Sequence, residues 1–115
     1  MNDERKEVDG VVVFRPGARI VDQTSSRTYL DPIKDAVNSG KRIVLDLSEI
    51  QFLNSAGLGV IVGLVRDAKG KGGGLRLCSP TTAVKALFSM VHIENIAFVD
   101  PDVETALSAL SGAGS

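Results

Sequence analysis

The feature that most constrains the fold is a change of hydrophobic period inside residues 43–63, IVLDLSEIQFLNSAGLGVIVG. Ile43, Val44, Leu45 and Leu47, interrupted only by Asp46, form the short β-branched apolar run of a strand covered on both faces. From Gly57 onward, Val60, Ile61, Leu64, Val65 and Ala68 recur at three- and four-residue spacings, which places them on one face of a helix. Asn54 and Ser55 lie where the period changes. Both are favoured N-caps, because their side-chain oxygens accept from the first unpaired backbone N–H groups, and the sequence alone does not choose between them. In either case Ser55 falls in the first turn, where free N–H groups and the positive end of the helix dipole favour an added negative charge.

The flanking chain supplies the rest of an α/β fold. Residues 4–8 and 11–14 around Asp9-Gly10 read as a hairpin, since Asp-Gly readily takes the positive φ angles of a two-residue turn. Residues 18–22 read as irregular or briefly extended. Leu30, Ile33 and Val37 give a helical stripe over residues 23–38, but Pro32 with Asp31 before it places the firm helix start at Pro32, leaving residues 24–29 as a weaker turn or kinked extension. Leu75 to Cys78 is the next strand. Ser79 and Pro80 then start a helix carrying Val84, Leu87, Phe88 and Met90 inward. Residues 96–99 make a last strand, and Asp100-Pro101 opens a final helix through Val103, Ala106, Leu107 and Leu110. Strands alternating with helices imply right-handed βαβ units and parallel neighbours, with the hairpin as an antiparallel margin.

The run DLSEIQFLNSAGLGV over residues 46–60 resembles the signature DLSxVxFxDSSGLGV of STAS-domain anti-sigma factor antagonists. The likeness continues through the helix, the basic turn, the next strand and the Ser79-Pro80 helix start. It implies an α/β, single STAS-like domain over residues 1–110, with a mixed sheet of four or five strands, an N-terminal hairpin and about four helices; residues 111–115 are expected to be a disordered tail. In such proteins the serine before Ser/Ala-Gly-Leu-Gly is phosphorylated by a partner kinase, and that serine corresponds to Ser55. The resemblance also implies a partner-binding face of Asp22, Asn54, Ser55, Ala56, Gly57 and Leu58, with Asp22 in a loop, GARIVD, two residues longer than the common form. The implied partners are an anti-sigma factor with serine kinase activity and a serine phosphatase that resets the switch. Two departures stand out. Ala56 replaces a second serine and leaves Ser55 as the only hydroxyl in the turn, while Asn54 replaces an aspartate, keeping its shape and losing its charge.

Composition narrows the alternatives. At 115 residues and 43% hydrophobic content there is room for one ordinary core and one domain. Thirteen basic against fourteen acidic residues give a net charge of −1, without the excess that draws a chain to nucleic acid or anionic lipid. Function is therefore expected in a local site, with no nucleic-acid or membrane partner. The single cysteine, Cys78, forms no internal disulfide and suits a reducing compartment. No run approaches the ~20 apolar residues that cross a bilayer, so a cytoplasmic location is expected.

Several sharper chemistries fit poorly. Lys69 to Gly74 has the composition of a phosphate loop, yet it closes a helix and opens a strand, the reverse of a Walker loop. Gly57, Gly59 and Gly63 come too late after the strand for a dinucleotide fingerprint, and no ribose-binding acid follows; they read instead as points of close helix packing, Gly63 above all. Ser-Ala-Gly lacks the first glycine of a nucleophile elbow, and the only histidine, His92, reads as structural. No metal-ligand spacing occurs, so neither metal, cofactor nor catalytic residue is expected. Asp46, in an apolar strand, either caps a nearby loop or faces the phosphorylation site. The resulting expectation is a non-enzymatic module that, with Ser55 unmodified, binds an anti-sigma factor and frees a sigma factor. The alternative is a constitutive STAS assembly subunit without phosphorylation.

Overall fold

A computed structural model describes residues 4–17, 19–21 and 23–113. The Asp-Gly turn forms as the dipeptide dictates, with φ of 51° at Asp9 and 81° at Gly10, and joins strands β1 (Glu4–Val8) and β2 (Val11–Arg15). A two-residue strand β3 (Ile20–Val21) precedes helix α1 (Gln23–Asn38). Strand β4 (Arg42–Asp46), a second two-residue strand β5 (Phe52–Leu53) and helix α2 (Ser55–Gly70) follow. The chain closes with β6 (Leu75–Cys78), α3 (Thr82–Met90), a 3₁₀ turn at Ile93–Asn95, β7 (Phe98–Asp100) and α4 (Val103–Ala113).

Five strands form one sheet in the order β1-β2-β4-β6-β7, antiparallel between β1 and β2 and parallel elsewhere. Both faces are covered, which is why β2 and β4 are apolar almost throughout. Val12, Phe14, Ile43, Leu45 and Leu77 point to one side and pack with Leu30, Ile33 and Val37 of α1, Ile61, Leu64 and Val65 of α2, and Val84 and Phe88 of α3. Val11, Val13, Val44 and Cys78 point to the other and meet Ala106 and Leu110 of α4. Arg42 ties α4 down by donating from Nη1 to the Leu110 carbonyl at 2.9 Å. Gly73 lets the β6 entry lie against the α1–β4 turn, where a Cβ would overlap the Lys41 carbonyl oxygen and come within 2.7 Å of the Gly40 oxygen.

Several local expectations are corrected. α1 runs unbroken through Pro32. Pro32 is exposed, and the buried stripe Leu30, Ile33, Ala36 and Val37 holds the helix together in spite of it. Met90 is 77% exposed because it lies two residues past Phe88, about 200° around the helix from it. Val60 is 37% exposed, at the margin of the buried α2 stripe. The last strand starts at Phe98, since Ile96 and Ala97 still donate to the Ile93 carbonyl. Asp102, and not Asp100, begins α4, its Oδ1 accepting from the Thr105 N–H at 2.8 Å. α4 reaches Ala113, so helix covers 111–113 of the expected tail; residues 114 and 115 lie outside the described residues.

Candidate functional site

The segment from Asp46 to Ser55 is held at each step by a specific hydrogen bond. Asp46, buried at the C-terminal end of β4, accepts the Ser48 N–H on Oδ1 at 2.9 Å, so its role here is to cap the turn. Ile50 donates to the Leu47 carbonyl at 3.0 Å and accepts the Thr81 hydroxyl at 2.8 Å. Thr81 thus spends its side chain on this loop instead of on the α3 N-terminus, where it makes no cap hydrogen bond. Gln51 and Phe52 donate to the Arg19 carbonyl at 2.7 and 3.0 Å, and β5 then pairs in parallel with β3, Ile20 opposite Phe52 and Val21 opposite Leu53. This small second sheet aims the chain into α2.

Asn54 is the N-cap. Its backbone is extended (φ −88°, ψ 179°), its Oδ1 accepts the Gly57 N–H at 2.9 Å, and its carbonyl accepts the Leu58 N–H at 2.9 Å. Ser55 is therefore the first helical residue, exposed, with its hydroxyl not used for capping. The Ser55 and Ala56 N–H groups precede the helical ladder and donate to no described residue. No acidic residue stands in the first turn. The positive end of α2 is thus uncompensated within its own helix, and it opens to solvent beside a serine.

Of the residues expected at the partner face, Asn54, Ser55 and Ala56 come together at this surface, the first half-buried and the others exposed. Gly57 and Leu58 are buried beneath it, Leu58 as part of the core. Asp22 lies outside the described residues. Phe52, 55% exposed next to the helix start, is a surface residue beyond those expected; an aromatic just after the polar Ser48-Glu49 turn was the available signal. Gly59 and Gly63 differ from expectation: a Cβ at either meets nothing within 4 Å, so they do not serve close packing inside the chain.

The remaining reactive groups are structural. Cys78 is fully buried, and burial, with the Asp46 charge adding to it, pushes its thiol up to about 12. Arg76 donates to Asp100 from Nε at 2.7 Å and Nη2 at 3.0 Å, and these hydrogen bonds raise its pKa against the effect of burial. His92 sits exposed in the left-handed region (φ 53°, ψ 52°) with Nδ1 3.7 Å from Glu94. Among the described residues no three His, Cys, Asp or Glu are grouped to hold a metal ion. No helix among them is long and apolar enough to cross a membrane.

A five-stranded mixed sheet with helices on both faces and a serine at the mouth of the central βα unit is the architecture of a STAS domain. The STAS domain family matches residues 4–106, and the chain belongs to that family. As such it is a binding module and not an enzyme. The anti-sigma F factor antagonist of Paenibacillus polymyxa is 29% identical over 103 residues, covering 88% of this chain and 87% of that one. The crystal structure of the protein TM1081 of Thermotoga maritima is 25% identical with a TM-score of 0.82, covering 94% of this chain and 93% of that one. The Bacillus anti-sigma factor antagonist SpoIIAA has the same fold in its unphosphorylated form (20% identity, TM-score 0.76, 96% and 97% covered) and its phosphorylated form (19%, TM-score 0.70, 94% and 98% covered).

Proposed function

We propose that this protein is an anti-sigma factor antagonist whose binding is switched off by phosphorylation of Ser55. Unmodified, the surface of Asn54, Ser55 and Ala56, with Phe52, Gly59 and Val60 beside it and Asp22 as a further contributor, docks on an anti-sigma factor that is also a serine kinase. The observation that carries this reading is the division of labour at the helix start. Asn54 does the capping, so Ser55 offers an exposed hydroxyl that the fold does not need. Phosphorylation adds about −1.5 to −2 charges and three acceptor oxygens. In the free protein the Ser55 and Ala56 N–H groups and the helix dipole can stabilise that group, so the fold need not change. Within a fitted interface the same charge must be desolvated against the partner. A 100-fold loss of affinity needs only about 2.8 kcal/mol.

Gly59 supports the same face. In mid-helix it costs roughly 1 kcal/mol relative to alanine, and no described residue occupies the space a Cβ would fill. A partner backbone approaching closely there would offset that cost. A phosphatase acting on Ser55 would return the protein to its binding state. Sigma-factor release follows from occupation of the anti-sigma factor.

The second reading, a constitutive assembly subunit, is favoured by the neutral Asn54. A capping carboxylate at this position would both strengthen the cap and offer a kinase a charge beside the serine, and Asn54 supplies only the cap. Capture from native cytosol with wild-type, Ser55→Ala and Ser55→Asp baits, with phosphosite mapping of the recovered wild-type chain, separates the two. A kinase-type partner on the wild-type and Ala baits, lost on Asp, with phosphate on Ser55, supports the switch. The same partner on all three and no phosphate supports the assembly subunit.

A further inference from the structure

Along the C-terminal half of α2, from roughly 10 Å to roughly 21 Å from Ser55 at 1.5 Å per residue, the chain forms a two-chambered cleft. The larger chamber, about 320 Å³, lies under the starts of β6 and β7, with Leu75, Ala97, Phe98 and Leu110 among its walls. The smaller, about 140 Å³, runs on along α2 beside Arg66 and Lys69. Val65, Lys69, Asn95 and Ile96 border both, so the two adjoin. The larger volume lies at the lower end of the range of small-molecule sites, and its lining is of the mostly apolar kind such sites share.

The charges around the cleft are unevenly committed. Arg76 is held bidentate by Asp100, and its guanidinium lies 4.2 Å over the Phe98 ring. That arrangement fixes the ring as a wall, 63% exposed, and leaves no cationic charge for a ligand. Arg66 and Lys69 are exposed and form no ion pair with a described residue. The one acidic lining residue, Glu94, borders the larger chamber only. A negative ligand charge is thus disfavoured beside Glu94 in the larger chamber and attracted to the narrower end. The α2 C-terminus works against an anion there, but Arg66 stands a full turn before it, and two uncommitted cations outweigh a partial charge that fades within the last turn.

We propose that this cleft binds a single-chain amphiphile with a carboxylate head, the head between Arg66 and Lys69 and the chain against Leu75, Ala97, Phe98 and Leu110. The site is independent of the Ser55 switch. The test is a ¹H–¹⁵N NMR titration of the whole chain with sodium decanoate, and in parallel with decyltrimethylammonium, both below their micelle concentrations. Decanoate is expected to shift the Leu75, Ala97 and Leu110 amides saturably while leaving Ser55 unmoved. The double substitution Arg66→Glu with Lys69→Glu, both at exposed positions, is expected to weaken binding by at least about tenfold. Absence of saturable shifts, equal binding of the ammonium amphiphile, or undiminished binding by the double variant would each overturn the proposal. Should that variant lose its native spectrum, Ala109→Phe, which fills the larger chamber, is expected to abolish decanoate binding; retained binding overturns the proposal equally.

Discussion

Gly59→Ala is expected to make the protein more stable and its partner binding weaker, an opposition that follows directly from where the residue sits. The position is helical, exposed and open, with no atom within 4 Å of the added Cβ. The substitution removes backbone freedom from the unfolded chain and introduces no overlap in the folded one, a gain of about 1 kcal/mol. For 115 residues the unfolding entropy near 60 °C is about 0.24 kcal/mol/K, so the midpoint should rise by about 4 °C. In a fitted interface the same methyl is an overpacking of about 1–3 kcal/mol, or roughly five- to 150-fold in affinity. Differential scanning calorimetry of the free chain and titration calorimetry with the captured anti-sigma partner read the two effects separately. A lowered midpoint would refute the open-space argument. A raised midpoint with unaltered affinity would remove Gly59 from the docking face.

Three further outcomes test the frame around the site. Asn54→Ala should lose about 1 kcal/mol of stability in urea unfolding through loss of the Gly57 cap, whereas Asn54→Asp should hold or exceed the wild-type value; equal stability of all three would show that the cap contributes nothing. Gly73→Ala should destabilise by about 1–3 kcal/mol, because the new Cβ meets fixed carbonyls of the α1–β4 turn, and a neutral result would show that this turn yields freely. Hydrogen bonds from the Thr105 side chain and N–H hold the exposed Asp102 carboxyl below its ordinary 3.8. Its contribution is then present above 3.8 and lost as pH falls through the lower folded-state value, so Asp102→Asn should flatten the acid limb of the stability–pH curve, and an unchanged limb would contradict the assignment.

The sheet was legible because its pattern is local: a hairpin specified by Asp-Gly, and strands such as residues 43–47 whose nearly unbroken apolar run implies two covered faces. The serine at the helix mouth was legible for the same reason, since a period change and a hydroxyl fall together. Which residue caps was not, because Asn and Ser are nearly equal caps intrinsically and the choice depends on how β5 enters the helix. That entry depends on the β3–β5 pairing, two residues on each side brought together from 32 positions apart in sequence, too short to leave a period. Pro32 misled because local propensity was overridden by the buried stripe of α1. The outward turn of Gly59 and Gly63 could not be read either, since a glycine leaves no hydrophobic mark to say which face it occupies. The cleft at the far end of α2 required four elements distant in sequence, α2, β6, β7 and α4, to be brought together.

The most direct test of the switch is the affinity of the chain phosphorylated stoichiometrically at Ser55, against the unmodified chain, for the captured anti-sigma partner, with far-UV circular dichroism and an NMR spectrum of each free form. The account predicts an affinity at least about 100-fold lower on phosphorylation, with the spectra changed only around residues 52–60. Equal affinity of the two forms would contradict it.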